Sequence, residues 1–295
     1  MSVSHDPRRR VAALSIWRGP VEPEPLCGGI TNTNFLVRDG DRRFVVRVGE
    51  DIPVHGVMRF NELAASRAAQ AAGVSPAVVH AEPGILVLEH IEGRTLEPAD
   101  VRARLEQVVA LVWRAHHEIP KHLRGPALVF WVFHVVRDYA HTLEEGGSRL
   151  RHRLPEFLAM AARLERAVGP IELVYGHNDL LAANLIDDGE RLWLIDWDYA
   201  GFNSPLFDLG GLVSNNELSA AERDRVLELY FDRPVTDELR FRAQAMLTAS
   251  LLRETMWSLV SELHSTIDFD FRGYTEENLG RLDRAFATFE EMEGR

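Results

Sequence analysis

Over the first ninety residues the apolar positions come in short runs separated by turn residues. Leu26, then Phe35-Leu36-Val37, then Phe44-Val45-Val46 with Val48 read as strands, and Asp39-Gly40 as the hairpin turn between the second and third. Two further runs, 78–80 and 85–88, complete a sheet of about five strands. One interruption has helical spacing: over 57–72, Phe60, Leu63, Ala64, Ala68 and Ala71 share a face, and Gly73-Val74-Ser75-Pro76 stops the helix. Ahead of the sheet, the apolar run 11–17 between charges predicts a short amphipathic helix, followed by an extended Pro-rich entry over 20–25.

Beyond Pro98 the period becomes that of helices. Val101, Leu105, Val108, Val109 and Val112 define one amphipathic helix ending near 115–118. The run Phe130-Trp131-Val132-Phe133 with Tyr139 predicts a core helix, and 155–168 another, with Pro155 suited to its first position. A strand over 171–175 follows. Residues 200–205 read as a loop, and 206–213 as a buried apolar run. Ser219 with Glu222 forms a capping box for a helix to Phe231. A long helix spans 236 to about 264, with Leu251, Leu252, Thr255 and Leu259 on one side; 268–271 is a loop and 275–290 a closing helix. The expectation is an α+β chain: a small antiparallel-sheet lobe over 1–92, a hinge at Glu89-His90-Ile91-Glu92-Gly93, and a larger, mainly helical lobe over 93–295.

The chain has 295 residues, 46% apolar and 26% charged, ordinary values for a water-exposed globular fold. A formal charge of −12 argues against nucleic acid as a partner, since no basic stripe is available to neutralise phosphates. It suits a cationic ligand. Cys27 is the single cysteine, so no internal disulfide forms, which fits a reducing cytoplasm; it reads as a small packed side chain. No run approaches the roughly 18 apolar residues of a membrane helix, and the start lacks an apolar signal core, so no membrane insertion and a cytoplasmic location are expected.

The chemistry concentrates in 175–199. An apolar strand ends in Gly176-His177-Asn178-Asp179, and Asn184 follows five residues after that aspartate. Residues 185–195 read as a hairpin turning at Asp188-Gly189 and closing on Ile195-Asp196-Trp197-Asp198. Asn184 enters the ribbon and Asp196 leaves it, so antiparallel pairing returns them to the same end. A carboxylate to take a proton, with an amide and a carboxylate to hold Mg²⁺, is what phosphoryl transfer needs. A surface hairpin carrying scattered acidic residues is the plainer reading, and the full His-x-Asp-x4-Asn spacing with Asp196 across the hairpin outweighs it.

Upstream residues fit the same reaction. Gly28-Gly29 with Thr31 and Asn32 lets backbone N–H groups approach a ligand oxygen; the segment has neither the Gly-Lys-Ser/Thr of a Walker loop nor three spaced glycines. Arg47 interrupts an apolar strand, where a cation can meet the α/β-phosphates. Glu62 falls off the helical stripe and is free to pair with it. At the hinge, Glu89 and Ile91 offer backbone groups to a base. The adjacent His116 and His117 project to different sides of a helix and lack His-Glu-x-x-His spacing, so they read as structural.

Gly176-His177-Asn178-Asp179-Leu180-Leu181-Ala182-Ala183-Asn184-Leu185-Ile186, followed by Leu194-Ile195-Asp196-Trp197-Asp198-Tyr199-Ala200-Gly201, resembles the choline/ethanolamine kinase family within the aminoglycoside-phosphotransferase and protein-kinase-like group. Gly28-Gly29-Ile30-Thr31-Asn32, Phe207-Asp208-Leu209-Gly210 and Trp257 extend the likeness over nearly the whole chain. The resemblance implies a two-lobed protein-kinase-like fold that uses ATP and Mg²⁺. It implies Asp179 as the residue that accepts or orients the substrate hydroxyl proton, needing no large pKa shift, and Asn184 and Asp196 on Mg²⁺. Arg47 would meet the phosphates with Glu62 orienting it, and His177 and Asp208 would brace the catalytic loop. Arg in place of Lys at 47, the absence of three spaced glycines and the lack of an Ala-Pro-Glu segment all lower the protein-kinase reading and favour a small-molecule acceptor.

The implied acceptor is a small amino alcohol, choline first. A quaternary ammonium has no N–H to donate, so it needs aromatic faces and carboxylates, a desolvated cation–π contact being worth about 2 kcal/mol. Trp257 matches the family's cation-pocket tryptophan; Tyr199, Tyr274, Glu254 and Asp198 are further candidates, Asp198 also for a second ion. Core packing is the competing account of Trp257. Ethanolamine, thiamine and aminoglycosides are alternative acceptors, and a nucleotide-binding pseudokinase is the alternative of another class.

Overall fold

The structure is a computed structural model and describes residues 6–26 and 32–294. Cys27, Gly28, Gly29 and Thr31 lie outside the described residues. Strands β1 (Glu24–Leu26), β2 (Thr33–Asp39), β3 (Arg42–Val48), β4 (Val78–Glu82) and β5 (Ile85–Glu89) form one antiparallel sheet in the order β1-β2-β3-β5-β4. Asp39 pairs with Arg42, so the two-residue turn is Gly40-Asp41, one position later than expected; Gly40 takes the left-handed backbone (φ 63°) that such a turn requires. On one face Phe35, Val37, Phe44, Val46, Val48, Ile85 and Val87 pack with Val11 and Leu14. Helix α1 (Pro7–Ala12) starts ahead of the expected 11–17 segment because Asp6 caps the Arg8 amide at 3.0 Å and Pro7 opens the first turn.

Helix α2 (Arg59–Ala71) departs from its apolar stripe. Phe60 is 47% exposed, while Asn61, Glu62, Ala65, Ser66, Ala68 and Ala69 are buried. The expected face of Phe60, Leu63, Ala64, Ala68 and Ala71 is therefore wrong apart from Ala68. The helix turns a partly polar face inward because its partners there are polar: Asn61 Nδ2 donates to the Ala200 carbonyl at 2.7 Å.

After β5, β6 (Arg94–Thr95) pairs with β8 (Leu185–Asp187), which pairs with β9 (Leu192–Leu194), the expected hairpin around Asp188-Gly189. At the crossing a Cβ on Gly93 would sit 2.5 Å from the Asp187 carbonyl oxygen, so glycine lets the two backbones meet. The single helix expected over 101–118 is two, α3 (Pro98–Ala103) and α4 (Leu105–His122), because Arg104 leaves helical geometry (φ −119°, ψ 28°) and serves as the junction. Then come α5 (Val132–Glu145), α6 (Leu154–Val168) and β7 (Val174–Gly176). The expected loop 200–205 contains β10 (Gly201–Asn203), which pairs with β7, and the Phe130 amide donates to the Phe202 carbonyl on its other side.

Helices α7 (Pro205–Asn215), α8 (Ala220–Phe231), α9 (Asp237–His264) and α10 (Phe271–Glu293) complete the chain. The Ser219–Glu222 capping box is present, and α10 starts at Phe271 rather than 275 because Asp270 caps the Gly273 amide at 2.8 Å. α9 is the axis of the helical lobe: α5, α6, α7 and α10 pack around it, burying Phe133, Leu143, Leu164, Leu252 and Phe289. Each such side chain contributes about 1.5–3 kcal/mol through burial. This is the two-lobed α+β kinase-like arrangement that the sequence implied.

Candidate active site

The loop after β7 is held by one buried carboxylate. Asp208, in the first turn of α7, accepts the amides of His177 and Asn178, each at 2.7 Å, and His116 Nε2 lies 2.8 Å from it. Burial pushes the Asp208 carboxyl up, but these donors win and hold it below its ordinary value. His116 and Asp208 are thus structural, as expected. Asn178 takes the left-handed backbone (φ 66°) and spends its side chain inside the loop, with Nδ2 on the Tyr199 carbonyl at 2.9 Å.

The His177 ring joins the two functional segments. Its Nδ1 accepts the Asp179 amide at 3.3 Å, so Nε2 carries the proton and donates to the Ile195 carbonyl at 2.9 Å. Burial lowers its pKa, which keeps the ring neutral in this role. Asn184 Nδ2 donates to the Asp179 carbonyl at 3.0 Å, and the Ile195 amide donates to the Asn184 carbonyl at 3.0 Å. Asp179, Asn184 and Asp196 are therefore tied by a continuous set of bonds at the same end of the hairpin. Asp196 sits at φ 70°, a left-handed backbone costing a non-glycine residue about 1 kcal/mol. The Trp197 indole anchors the turn behind it, donating to Ser75 Oγ at 2.8 Å; the Ser75 hydroxyl in turn donates to the Leu194 carbonyl.

Two cavities meet at these residues. A cleft of ≈ 410 Å³ between the lobes is lined by Arg47, Glu62, Glu89, Ile91, Asn184 and Asp196. A second cavity of ≈ 220 Å³ lies in the helical lobe, lined by Asp179, Asp198, Tyr199, Glu254, Trp257 and Tyr274, again with Asn184 and Asp196. Burial chiefly pushes the Asp179 carboxyl up to about 8; Arg253 opposes this, and Glu254, Asp196 and Asp198 add to it. The sequence expectation of no large shift took no account of that crowding.

In the interlobe cleft Arg47 reaches Glu62 Oε1 through Nε at 2.7 Å, Asp196 Oδ1 through Nη2 at 2.7 Å and Asp198 Oδ1 at 2.9 Å. Burial lowers the Arg47 pKa, but Asp196, Asp198 and Glu62 outweigh it and hold the group well above its ordinary value. Burial likewise pushes the Glu62 carboxyl up, with Arg47 and Arg59 opposing. The expected Arg47–Glu62 pair is present, and Asn32 Nδ2 donates to Asp198 Oδ2 at 3.1 Å. Among the described residues no three His, Cys, Asp or Glu side chains converge as a metal cage. Asn184 and Asp196 provide one amide and one carboxylate oxygen, which fits an ion completing its shell with phosphates and water.

The acceptor-side cavity is more occupied than expected. Trp257 Nε1 donates to the Tyr199 hydroxyl at 2.9 Å, and the Tyr274 hydroxyl donates to Glu254 Oε1 at 2.8 Å. Arg253, buried, donates to Glu254 Oε2 at 2.9 Å and sets its guanidinium 4.5 Å from the Tyr199 ring centre. One face of Tyr199 is therefore already taken by a cation of the protein itself. Asp198 lines the cavity, but its oxygens accept Asn32, Arg47 and Arg59. Sequence reasoning missed Arg59, Arg253 and His55. Arg59 precedes Glu62 by one helical turn, and Arg253 stands directly before Glu254 inside an otherwise apolar stretch; both were signals of a buried ion pair.

A family model described as Phosphotransferase enzyme family matches residues 22–242. The chain belongs to that family. Among relatives of this phosphotransferase, Protein LicA of Haemophilus influenzae is 28% identical over 275 residues, covering 90% of this chain and 79% of the relative. Human Ethanolamine kinase 2 is 27% identical, covering 83% and 71%. A solved choline/ethanolamine kinase family protein from Mesorhizobium loti superposes with a TM-score of 0.76 at 28% identity, over 95% of this chain and 92% of that one. The choline kinase LicA from Streptococcus pneumoniae, at 22% identity, shares the fold with a TM-score of 0.74, over 91% and 94%. The protein is a phosphotransferase enzyme, similar to choline and ethanolamine kinases. No helix of the described residues is long and apolar enough to cross a membrane.

Proposed function

We propose that this phosphotransferase moves the γ-phosphate of ATP, with Mg²⁺, to the hydroxyl of a small amino alcohol, choline first. The carrying observation is that Asn184 and Asp196 line both cavities, while Asp179 lines only the second. A phosphoryl group leaving the interlobe cleft past Asn184 and Asp196 meets a hydroxyl held at Asp179. On this reading residues 1–92 form the nucleotide lobe and 93–295 the catalytic and acceptor lobe. The base lies against the Glu89–Ile91 backbone, and Gly28, Gly29, Thr31 and Asn32 serve the phosphates.

Asn184 and Asp196 would hold the ion through their side-chain oxygens. Bound there, Mg²⁺ supplies neutralisation of the phosphate charge. Arg47, oriented by Glu62, supplies a second positive charge to the phosphates. Asp179 orients the acceptor hydroxyl and takes its proton, and its raised pKa makes it a better base than an ordinary aspartate.

Trp257, Tyr274, Glu254 and Asp179 support an acceptor that is cationic at one end and an alcohol at the other. A second reading, ethanolamine, is favoured by Arg253. The guanidinium covers one face of Tyr199, removing an aromatic wall from a quaternary ammonium, while Glu254 accepts hydrogen bonds from a primary one. ADP release by the purified enzyme, measured across ethanolamine, its mono- and dimethyl forms, choline, thiamine and an aminoglycoside, separates these readings. Turnover is expected to be strongest with choline. Turnover confined to acceptors bearing N–H would replace choline by ethanolamine. No turnover of any acceptor, with Asp179→Asn leaving nucleotide binding unchanged, would return the protein to the pseudokinase reading.

A further inference from the structure

Arg47 and Glu62 are accounted for by the phosphate cleft, but Arg59 is not, and its surroundings are unusually specific. It opens α2, where its amide is capped by Asp51 Oδ1 at 2.7 Å. Its Nε donates to the Glu50 carbonyl at 2.9 Å, which fixes the plane of the guanidinium. Nη1 then donates to both Glu62 Oε2, at 2.7 Å, and Asp198 Oδ1, at 3.0 Å. The same two carboxylates are held by Arg47, through Glu62 Oε1 and Asp198 Oδ1. The four side chains close a ring of alternating sign: Glu62, Arg47, Asp198, Arg59 and back to Glu62. All four side chains are at most 15% exposed.

The ring is electrically neutral, two guanidinium groups against two carboxylates. Among the described residues, Asp196 adds a negative charge to these four side chains, bonded to Arg47 outside the ring. Three of the ring's members belong to the sheet lobe and one, Asp198, to the segment that also carries Asp196. Asn32, ahead of β2, adds a third sheet-lobe donor to Asp198. A carboxylate buried at 2% exposure and shared by three donors from the other lobe is placed to join the lobes. This differs from the roles expected for Asp198, a second ion or the acceptor cation.

We propose that Arg59 is a positioning residue, and that with Asp198 it closes an alternating-charge ring locking α2 against the 196–198 segment. Because Asp198 accepts Arg47, Arg59 and Asn32, its carboxylate is engaged by the other lobe, whereas Asp196, which accepts Arg47 through Oδ1, keeps Oδ2 for the metal–nucleotide. The ring itself does not depend on which alcohol is phosphorylated; only its kinetic consequence rests on the phosphotransfer reading.

The test is a double-mutant cycle on the full-length enzyme with Arg59→Met, Asp198→Asn and the pair, and with Arg59→Lys as the conservative variant. The first readout needs no catalysis: hydrogen exchange of the α2 and 196–200 amides in nucleotide-free protein. Exchange should rise in either single variant and rise no further in the double. The second is kinetic. Removing an outer support of this kind costs about 10- to 100-fold, and here the loss should fall on KM for MgATP, with the acceptor KM unmoved. The double variant should be no worse than the poorer single one, since residues in one network are non-additive. Arg59→Lys should recover part of the loss, as one ammonium replaces only part of the fork. Additive losses, or wild-type exchange of α2 in Arg59→Met, would overturn the ring. So would an Asp198→Asn enzyme whose sole change is a raised Mg²⁺ requirement, which would make Asp198 a metal residue. An enzyme inactive toward every acceptor would refute the phosphotransfer reading yet leave the exchange result to judge the ring.

Discussion

The Arg253 guanidinium lies 4.5 Å from the centre of the Tyr199 ring while donating to Glu254 Oε2 at 2.9 Å. A buried positive charge thus lines the second cavity, held there against Tyr199 and Glu254. Its field favours the ionised form of Asp179, against burial and three neighbouring carboxylates. Removing it should raise the Asp179 pKa further. On the proposed function Asp179 acts deprotonated, so activity is lost as pH falls through that pKa, and the acid limb of the rate should move to higher pH. For Arg253→Gln the expected displacement is about one pH unit, in line with the effect of a nearby opposite charge. The pH profile of kcat/KM for the acceptor at saturating MgATP measures it, and an unmoved limb would sever Arg253 from Asp179.

Asp208→Asn should uncouple the catalytic loop from α7. The amide replaces one acceptor oxygen with a donor, facing the His177 and Asn178 amides at 2.7 Å. A buried network broken in this way costs about 3 kcal/mol. For a chain of this length that corresponds to a fall in Tm of about 5 °C. Calorimetry checks the stability, and the same variant should lose activity because His177 no longer holds both Asp179 and Ile195.

At Gly210, α7 lies directly against the backbone of α9. A Cβ there would stand 2.9 Å from both the Leu247 amide nitrogen and Cα, which are backbone atoms and cannot turn aside. Gly210→Ala should therefore destabilise by about 1–3 kcal/mol despite the better helix propensity of alanine. Urea denaturation gives the value; a neutral or stabilising result would mean that the two helices can separate at little cost.

His55 should make the fold acid-sensitive. Burial, with the charges of Arg253 and His264, lowers its pKa from 6.5 to about 3. In the unfolded chain the imidazole takes a proton below 6.5, whereas the folded protein refuses it until about 3. Its contribution to stability is therefore intact above 6.5 and is lost as pH falls from there toward 3. Urea midpoints at several pH values in that window should drop less steeply in His55→Gln than in the parent protein.

The catalytic segment was legible in the sequence because its function depends on short spacing. Asp179, Asn184 and Asp196 are fixed by one loop and one hairpin, and both formed as the turn residues dictate. The sheet was legible for the same local reason. The inner face of α2 was not. Its buried positions are Asn61, Glu62 and Ser66 with alanines, and a period search for apolar residues selects the exposed side carrying Phe60 instead. Arg59 and Arg253 have near partners in Glu62 and Glu254, but what places them in the site, Asp198 and Tyr199, is 139 and 54 positions away, and only the closed fold brings these together. The strand Gly201–Asn203 is too short to carry a pattern; pairing with Val174–Gly176 creates it.

His55 belongs to the sheet lobe, yet its ring lies 5.2 Å from that of Trp257 and bonds Ser261 Oγ and the Tyr139 hydroxyl, each at 3.2 Å. Any swing that parts the lobes must draw this imidazole away from the indole and break both bonds. On the proposed function, nucleotide entry and the shaping of the acceptor's seat are thereby coupled through one imidazole.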